Sequence, residues 1–391
     1  MSTNRTLRGK AAVVGIGSTP YRKRGDSDKS ALTLILEAIL AACSDAGVDP
    51  RQIDGFVSYA NDRSEGPVVG TTLGVNEIRW STMVWGGGGG GVAAAVNAAA
   101  TAVAAGQADC VVVYRGITEA DDGRGSYGKG HFPPLLSAHG IVAPAQVCAM
   151  RTQRLLEIDG VPPSAMKALV MASYQHAQNN PAAVAYGKPL DSETYESSRW
   201  VAEPLHLFDC SRENDAASAL LIVSAERARD FASVPAYVLA GVQGAGRGWG
   251  ESIENEDNYT SAGFHPAMVS RLWNSAEVKA GDVDVVQVYE NFSGPAVASL
   301  IDFGLCPAGS AAGEFMTLPN LLADGGKLPI NTAGGNIAEG FVHGIGMAVE
   351  AVRQVRGSSP NQVKGAEVSL LLGGPVAPFV SATMFGSAAT L

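Results

Sequence analysis

VWGGGGGGVAAAVNAAATAVAAGQADCVVVY, residues 84–114, is the stretch from which the fold can be read. Six consecutive glycines, Gly86 to Gly91, open a run of alanine and valine whose composition predicts one helix, ended by Gly106. A polar turn and the apolar strand CVVVY follow. Glycine carries no Cβ, so a helix that starts in such a run exposes backbone N–H groups and admits very close approach. Helix, turn and buried strand in this order form a building unit of α/β sheets. The run contains no reactive side chain, and no cysteine occurs from Ser44 to Asp109.

Outward from this unit the chain repeats itself. ACSDAGVDPRQIDGFVSY (42–59) aligns without gaps on LWNSAEVKAGDVDVVQVY (272–289), with Val48 on Val278, Ile53 on Val283, Asp54 on Asp284 and Tyr59 on Tyr289. Upstream, AAVVGIGST (11–19) and AYVLAGVQGAG (236–246) are both strands running into glycine. Downstream, GGNIAEGFVHGIGMAVEAVRQVRG (334–357) and KGAEVSLLLGG (364–374) repeat the glycine pair, small-residue helix and apolar strand of the opening stretch. Three matches in the same order predict two homologous α/β halves, residues 1–235 and 236–391. The segment 115–215 has another character. It carries HFPPLL, NNPAAVAYGKPL and SRWVAEPLHLFDCSREND, whose proline, glycine and aromatic punctuation predicts a loop-rich insertion, with a helix from Pro163 to Asn179. Such an insertion on a rigid scaffold reads as a lid carrying substrate contacts.

Composition excludes several classes of function. Of the 391 residues 46% are apolar and 17% charged, enough to bury a large core and too few charges for a disordered chain. A formal net charge of −10 argues against nucleic acid or an anionic membrane as the main partner. Cys43, Cys110, Cys148, Cys210 and Cys306 form no CxxC pair and read as small buried residues of a reduced, cytoplasmic protein, without disulfide or metal site. MSTNRTLRGK shows no apolar signal region, and Val92 to Ala105 is too short to span a bilayer. His131, His139, His176, His206 and His265 show no metal spacing. GAGRGWG (244–250) lacks the strand–turn–helix context and the later acidic residue of a dinucleotide site.

The two halves, the glycine-rich helix start, the insertion and the C-terminal GG segments together resemble the thiolase superfamily over nearly the whole chain. The resemblance is closest to the sterol-carrier-protein and bacterial lipid-transfer branch, carried by AAVVGIGSTPY, NNPAAVAYGKPLDSETYESSRWVAEPLHLFDCSREND and NTAGGNIAEGFVHG. It implies two βαβαβαββ halves in five layers (α-β-α-β-α), an active site where they meet, and a homodimer. It also places the family's nucleophilic cysteine at about Gly89, where glycine can form no thioester. The branch's His-Asp-x-Phe becomes Tyr289-Glu290-Asn291-Phe292, its Gly-His-Pro becomes Gly340-Phe341-Val342 followed by His343, and its last Cys-x-Gly becomes Leu371-Leu372-Gly373 followed by Gly374. The scaffold glycines remain and the catalytic side chains are changed.

Lipid-transfer-type steroid side-chain aldolases resemble thiolases in this altered way. They lack the cysteine, cleave a β-hydroxyacyl-CoA by a retro-aldol step, and work with a small zinc-ribbon and OB-fold partner. The resemblance therefore implies acyl-CoA as substrate, with a bulky, steroid-like acyl part. It implies no cofactor in this chain, zinc belonging only to the partner. A retro-aldol needs a base for the β-hydroxyl, donors for the thioester enolate and an acid for the departing α-carbon. Tyr289 stands at the family's catalytic strand end, although its match with Tyr59 also fits a packing residue with a hydrogen-bonded tip. Glu290 reads as a catalytic residue and Asn291 as a catalytic neutral donor to a substrate oxygen, or the two read as a solvated turn and a cap of a helix from Pro295 to Phe303. His343 reads as a neutral donor or acid/base at a helix start, or as a structural histidine. Phe341 departs from the tyrosine expected of these aldolases and lines the site without moving protons. Gly88, Gly89, Gly90, Gly334, Gly335, Gly373 and Gly374 read as glycines that let the thioester approach. Asp209, Cys210, Asn214 and Asp215 belong to a family loop near the junction of the halves. Two other readings stay open: a non-catalytic acyl-CoA-binding subunit of this fold, and a thiolase or acyltransferase using another cysteine such as Cys210.

Overall fold

The computed structural model describes residues 6–60, 62–85, 88–118, 134–246, 262–377 and 379–391. The first half runs β1 (Ala11–Ser18), α1 (Ala31–Ala46), β2 (Gly55–Tyr59), β3 (Trp80–Val84), α2 (Gly91–Ala104), β4 (Cys110–Ile117) and, after the insertion, β5 (Asn214–Ser224). The insertion contributes α3 (Pro144–Glu157) and α4 (Ser164–Ala177). The second half runs β6 (Ala236–Gly244), α5 (Pro266–Ala276), β7 (Val285–Val288), α6 (Ser293–Asp302), α7 (Ile345–Arg356), β8 (Val368–Gly373) and β9 (Val380–Gly386). The insertion is more helical than its punctuation predicts, because α3 buries one face, including Leu155, and α4 is buried on nearly all sides, Leu169 and Val170 included.

The halves correspond strand for strand except at β3. In the first, β2 is parallel to β3 and β4, and β5 joins β4 to β1 through antiparallel pairings. In the second, β7 is parallel to β8, and β9 joins β8 to β6 through antiparallel pairings. The counterpart of β3 is reduced to one parallel bridge between Ile330 and Val286. The aligned aspartates do the same work: Asp54 accepts from the backbone N–H groups of Asp109 and Cys110, and Asp284 from those of Glu367 and Val368. Each ties the turn before β2 or β7 to the start of the neighbouring strand.

Alternation along the strands builds the layers, since successive side chains point to opposite faces. On the first sheet, Val13, Val111, Val113, Leu220 and Ile222 face an inner core with α2 and α7, while Val14, Cys110, Val112, Leu221 and Val223 face an outer core with α1. On the second sheet, Leu371 and Phe385 face the same inner core, and Leu370, Leu372 and Met384 face α4, α5 and α6. Helices α2 and α7 are thus sandwiched between the sheets in the five-layer arrangement, packed against strands of both halves. The sheets are also joined edge to edge. An antiparallel pairing of Ala12 with Tyr237 and Val13 with Ala236 makes one path, β7-β8-β9-β6-β1-β5-β4-β2-β3. No described helix is long and apolar enough to cross a membrane.

Candidate active site

The site forms where the N-termini of α2 and α7 meet the ends of β2 and β7. Asn331 fixes the end of β7, its side-chain oxygen accepting from the Val288 N–H at 2.8 Å and its amide donating to the Val288 carbonyl at 3.0 Å. A side-chain amide therefore substitutes for the missing neighbouring strand. On the other side the Tyr289 N–H donates to the Leu372 carbonyl at 2.9 Å. Tyr289 is buried, and its ring lies over Gly89: a Cβ added there would stand 2.0 Å from Cζ and 2.1 Å from Cε2 of the ring, far inside contact distance. The tyrosine occupies the space a side chain at position 89 would need.

The other glycines close the junction of the halves. A Cβ on Gly374 would overlap the backbone of Gly90, and one on Gly90 would overlap the Phe379 carbonyl. The Ser381 hydroxyl donates to the Gly90 carbonyl at 2.6 Å, and a Cβ on Gly373 would stand 2.9 Å from the Gly89 carbonyl oxygen. Gly88, with φ +47°, starts the turn into α2 and has open space beside it. Close packing of backbone on backbone is thus a sufficient reason for Gly90, Gly373 and Gly374. Gly86 and Gly87 lie outside the described residues, as do His131 and the part of GAGRGWG beyond Gly246.

Phe341, Tyr289 and His343 form one aromatic cluster. Ring centroids are 6.4 Å apart for Tyr289 and Phe341 and 5.2 Å for Phe341 and His343, both edge-on. The Phe341 N–H donates to the Asn214 side-chain oxygen at 3.0 Å, and Glu213 bridges Phe341 in parallel, so the family loop supports this segment. His343 has φ +49°, the left-handed region that residues with a Cβ seldom enter. Its carbonyl accepts from the Tyr59 hydroxyl at 2.9 Å, and its ring Nδ1 accepts from Arg115 Nε at 3.1 Å. Arg115 in turn pairs with Asp62 at 2.6 Å. Burial and then the Arg115 charge hold the imidazole well below its usual pKa, so the ring is neutral near pH 7. That supports the donor reading of His343 and removes the imidazolium as a resting acid.

Glu290 corrects an expectation. The solvated-turn reading fails because the residue is fully buried. Its carboxyl accepts from the Ile337 N–H and the Asn336 amide, both at 3.3 Å, beneath a turn in which Gly334 and Gly335 have positive φ. A Cβ on Gly335 would overlap the Glu290 carboxyl oxygen. Burial raises its pKa strongly, which favours the protonated acid. Asn291 is half-buried, and its side-chain oxygen accepts from the Phe292 N–H at 3.0 Å, just before α6. What it can offer a ligand is its NH2 group.

The cysteines are poor nucleophiles. Burial, then the charge of Asp209, pushes the Cys210 thiol up to about 12, and the thiol donates to the His206 carbonyl at 3.4 Å. Burial also lifts Cys43 to about 11 and Cys110, Cys148 and Cys306 to about 12. Thiolate is the reactive form, so none is activated. Iodoacetamide treatment at neutral pH is expected to leave turnover intact. Time-dependent inactivation protected by substrate and mapped to one cysteine would restore the thiolase alternative. Among the described residues no group of histidine, cysteine and acidic side chains could hold a metal ion.

Two features escaped the sequence reading. Arg115 and Asp62 act on His343 from the opposite half, and Asn331 completes the pairing of β7. The available signal for the first was an arginine in a strand otherwise without charge, buried to 6% exposure where arginine is seldom found unpaired.

The thiolase fold and a junction without its cysteine define the class. Residues 245–383 match the family described as Thiolase C-terminal domain-like. The chain is 35% identical to "17-hydroxy-3-oxo-4-pregnene-20-carboxyl-CoA lyase" of Mycobacterium tuberculosis, over 95% of this chain and 98% of that protein. It is 34% identical to "Steroid side-chain-cleaving aldolase" of Thermomonospora curvata, over 91% and 93%. A solved structure, "Ltp2-ChsH2(DUF35) aldolase", superposes with a TM-score of 0.90 at 34% identity, covering 99% of this chain and all of that one. The chain belongs to the thiolase superfamily, in the branch that contains the steroid side-chain-cleaving aldolases.

Proposed function

We propose that the protein cleaves a β-hydroxyacyl-CoA by a retro-aldol reaction, releasing a ketone or aldehyde and a shorter acyl-CoA, with a bulky, steroid-like acyl part. The observation that carries this reading is the Tyr289 ring lying in the space of a side chain at position 89. It closes the covalent route and puts a phenol at the centre of the junction. In the reaction a base takes the β-hydroxyl proton and the Cα–Cβ bond breaks. The oxygen electrons become the new carbonyl, and the thioester enolate is protonated at its α-carbon. Tyr289 is the group proposed to move a proton. His343, neutral with Nδ1 occupied, offers an N–H to the thioester oxygen as its charge grows. Asn291 offers a second donor from its NH2 group, and Glu290 holds the turn of Gly334 and Gly335 from below.

The names of the relatives support the substrate class, and the neighbour's title pairs an Ltp2 chain with ChsH2(DUF35). On the family resemblance we extend the proposal to a homodimeric core and a small zinc-ribbon and OB-fold partner, with no cofactor resident in this chain. The test is to purify the chain alone and co-expressed with its genomic neighbours and supply a β-hydroxyacyl-CoA of steroid type. A released ketone and a shortened acyl-CoA are expected. CoA-dependent thiolysis of a 3-ketoacyl-CoA in their place would overturn the reading, and acyl-CoA binding without turnover in any combination would favour a non-catalytic subunit.

A further inference from the structure

We propose that Arg115 and Asp62 are positioning residues that fix the His343 ring, from the opposite half of the molecule, in the tautomer that carries its proton on Nε2. The inference rests on the proposed function for its catalytic consequence, because there His343 donates to the thioester oxygen. Its structural part stands by itself.

A guanidinium is always protonated and only donates. With Arg115 Nε 3.1 Å from Nδ1 of His343, that nitrogen presents its lone pair, and a proton there would set two N–H groups against each other. The ring proton therefore resides on Nε2. Asp62 holds the arginine in place: its Oδ2 accepts from Arg115 Nη1 at 2.6 Å while its Oδ1 accepts from the Ser64 N–H at 2.7 Å. All three side chains are buried, at 6% exposure for Arg115 and 8% for Asp62 and His343. Without Asp62 a buried cation would stand uncompensated beside the imidazole. The backbone is held as well, by the Tyr59 hydroxyl on the His343 carbonyl. The ring of this second-half residue is thus gripped by Arg115, with Asp62 behind it, and its backbone by Tyr59, all from the first half. Burial first, and then the charge of Arg115, oppose imidazolium formation, which keeps the ring a donor rather than an acid across neutral pH.

A buried ion pair often serves only architecture, so the test reads the ring itself. Nitrogen-15 spectra of histidine-labelled protein, recorded in whatever assembly proves active, distinguish the two neutral tautomers and the imidazolium, and His343→Gln assigns the signal. The wild type is expected to show the Nε2–H tautomer at pH 6 to 8. Arg115→Gln should yield a tautomer mixture, and Arg115→Lys, which keeps a charged donor, should restore the single form. The turnover of Arg115→Gln should fall on the order of 10- to 100-fold with KM nearly unchanged, less than the outright loss of an oxyanion donor, and Arg115→Lys should recover part of it. Asp62→Asn should loosen the tautomer in the same direction. An Nδ1–H or imidazolium signal in the wild type would overturn the proposal without any variant, even if Arg115→Gln fails to fold. A folded Arg115→Gln with an unchanged ring signal and turnover would overturn it too. If the spectra agree but no β-hydroxyacyl-CoA is cleaved by the wild type, the proposed function falls and the tautomer assignment stands.

Discussion

Tyr289→Phe should lower kcat by roughly 10²- to 10⁴-fold while acyl-CoA affinity barely moves. The substitution removes one hydroxyl and keeps the ring that fills the space over Gly89. Packing is retained, and the stability change should be about 1 kcal/mol, the order of one buried hydrogen bond. Steady-state kinetics with a ligand dissociation constant, and circular dichroism to verify the fold, separate the two contributions. Near wild-type turnover would make Tyr289 a packing residue like Tyr59 and leave the retro-aldol step without its proposed proton carrier. His343→Ala in the same assays is expected to lose kcat by roughly 10²- to 10³-fold, the effect of deleting an oxyanion donor.

Gly89→Ala should be damaging in a different way. The added methyl would stand 2.0 Å from Tyr289 Cζ, so the ring or the start of α2 has to shift. Overpacking of this kind costs about 1–3 kcal/mol. A reactive group displaced by an ångström loses about 10²-fold in rate, and the variant should lose at least that much turnover. The diagnostic measurement is a double-mutant cycle in denaturant unfolding. In a Tyr289→Ala background the methyl finds room, and the cost of Gly89→Ala should shrink by about 1 kcal/mol or more. Equal costs in both backgrounds would mean that the ring does not own that space. Gly89→Cys is expected to show no thiolysis of a 3-ketoacyl-CoA, because the thiol cannot enter the site while the tyrosine is there.

The architecture was legible because it is periodic and duplicated. Two strand-end tyrosines, two aspartates at the same offset and two small-residue helices after glycines announce the halves, and the altered motifs locate Tyr289, Glu290, Phe341 and His343. What stayed hidden depends on contacts between segments far apart in the chain. Arg115 and His343 are separated by 228 positions, and no local pattern ties them. Asn331 looks like one more residue of a loop until its amide is seen to pair with both backbone groups of Val288. Glu290 misled the reading because a carboxyl next to a strand end ordinarily sits in water, and only the turn folded over it reveals its burial. The glycines carried a double meaning, since a missing Cβ serves a ligand and a neighbouring backbone equally well.

The paired tyrosines show how a doubled chain can change trades. Each ring packs on the glycine that opens the central helix of its own half: a Cβ on Gly91 would stand 2.7 Å from Tyr59, and one on Gly344 would stand 2.6 Å from Tyr289. Each also crosses to the other half, Tyr59 through its hydroxyl to the His343 carbonyl and Tyr289 through its ring to Gly89. The two aligned tyrosines thus make different contacts across the junction. With Tyr59 bracing the framework, the proton-carrying role proposed for its twin would leave the building standing.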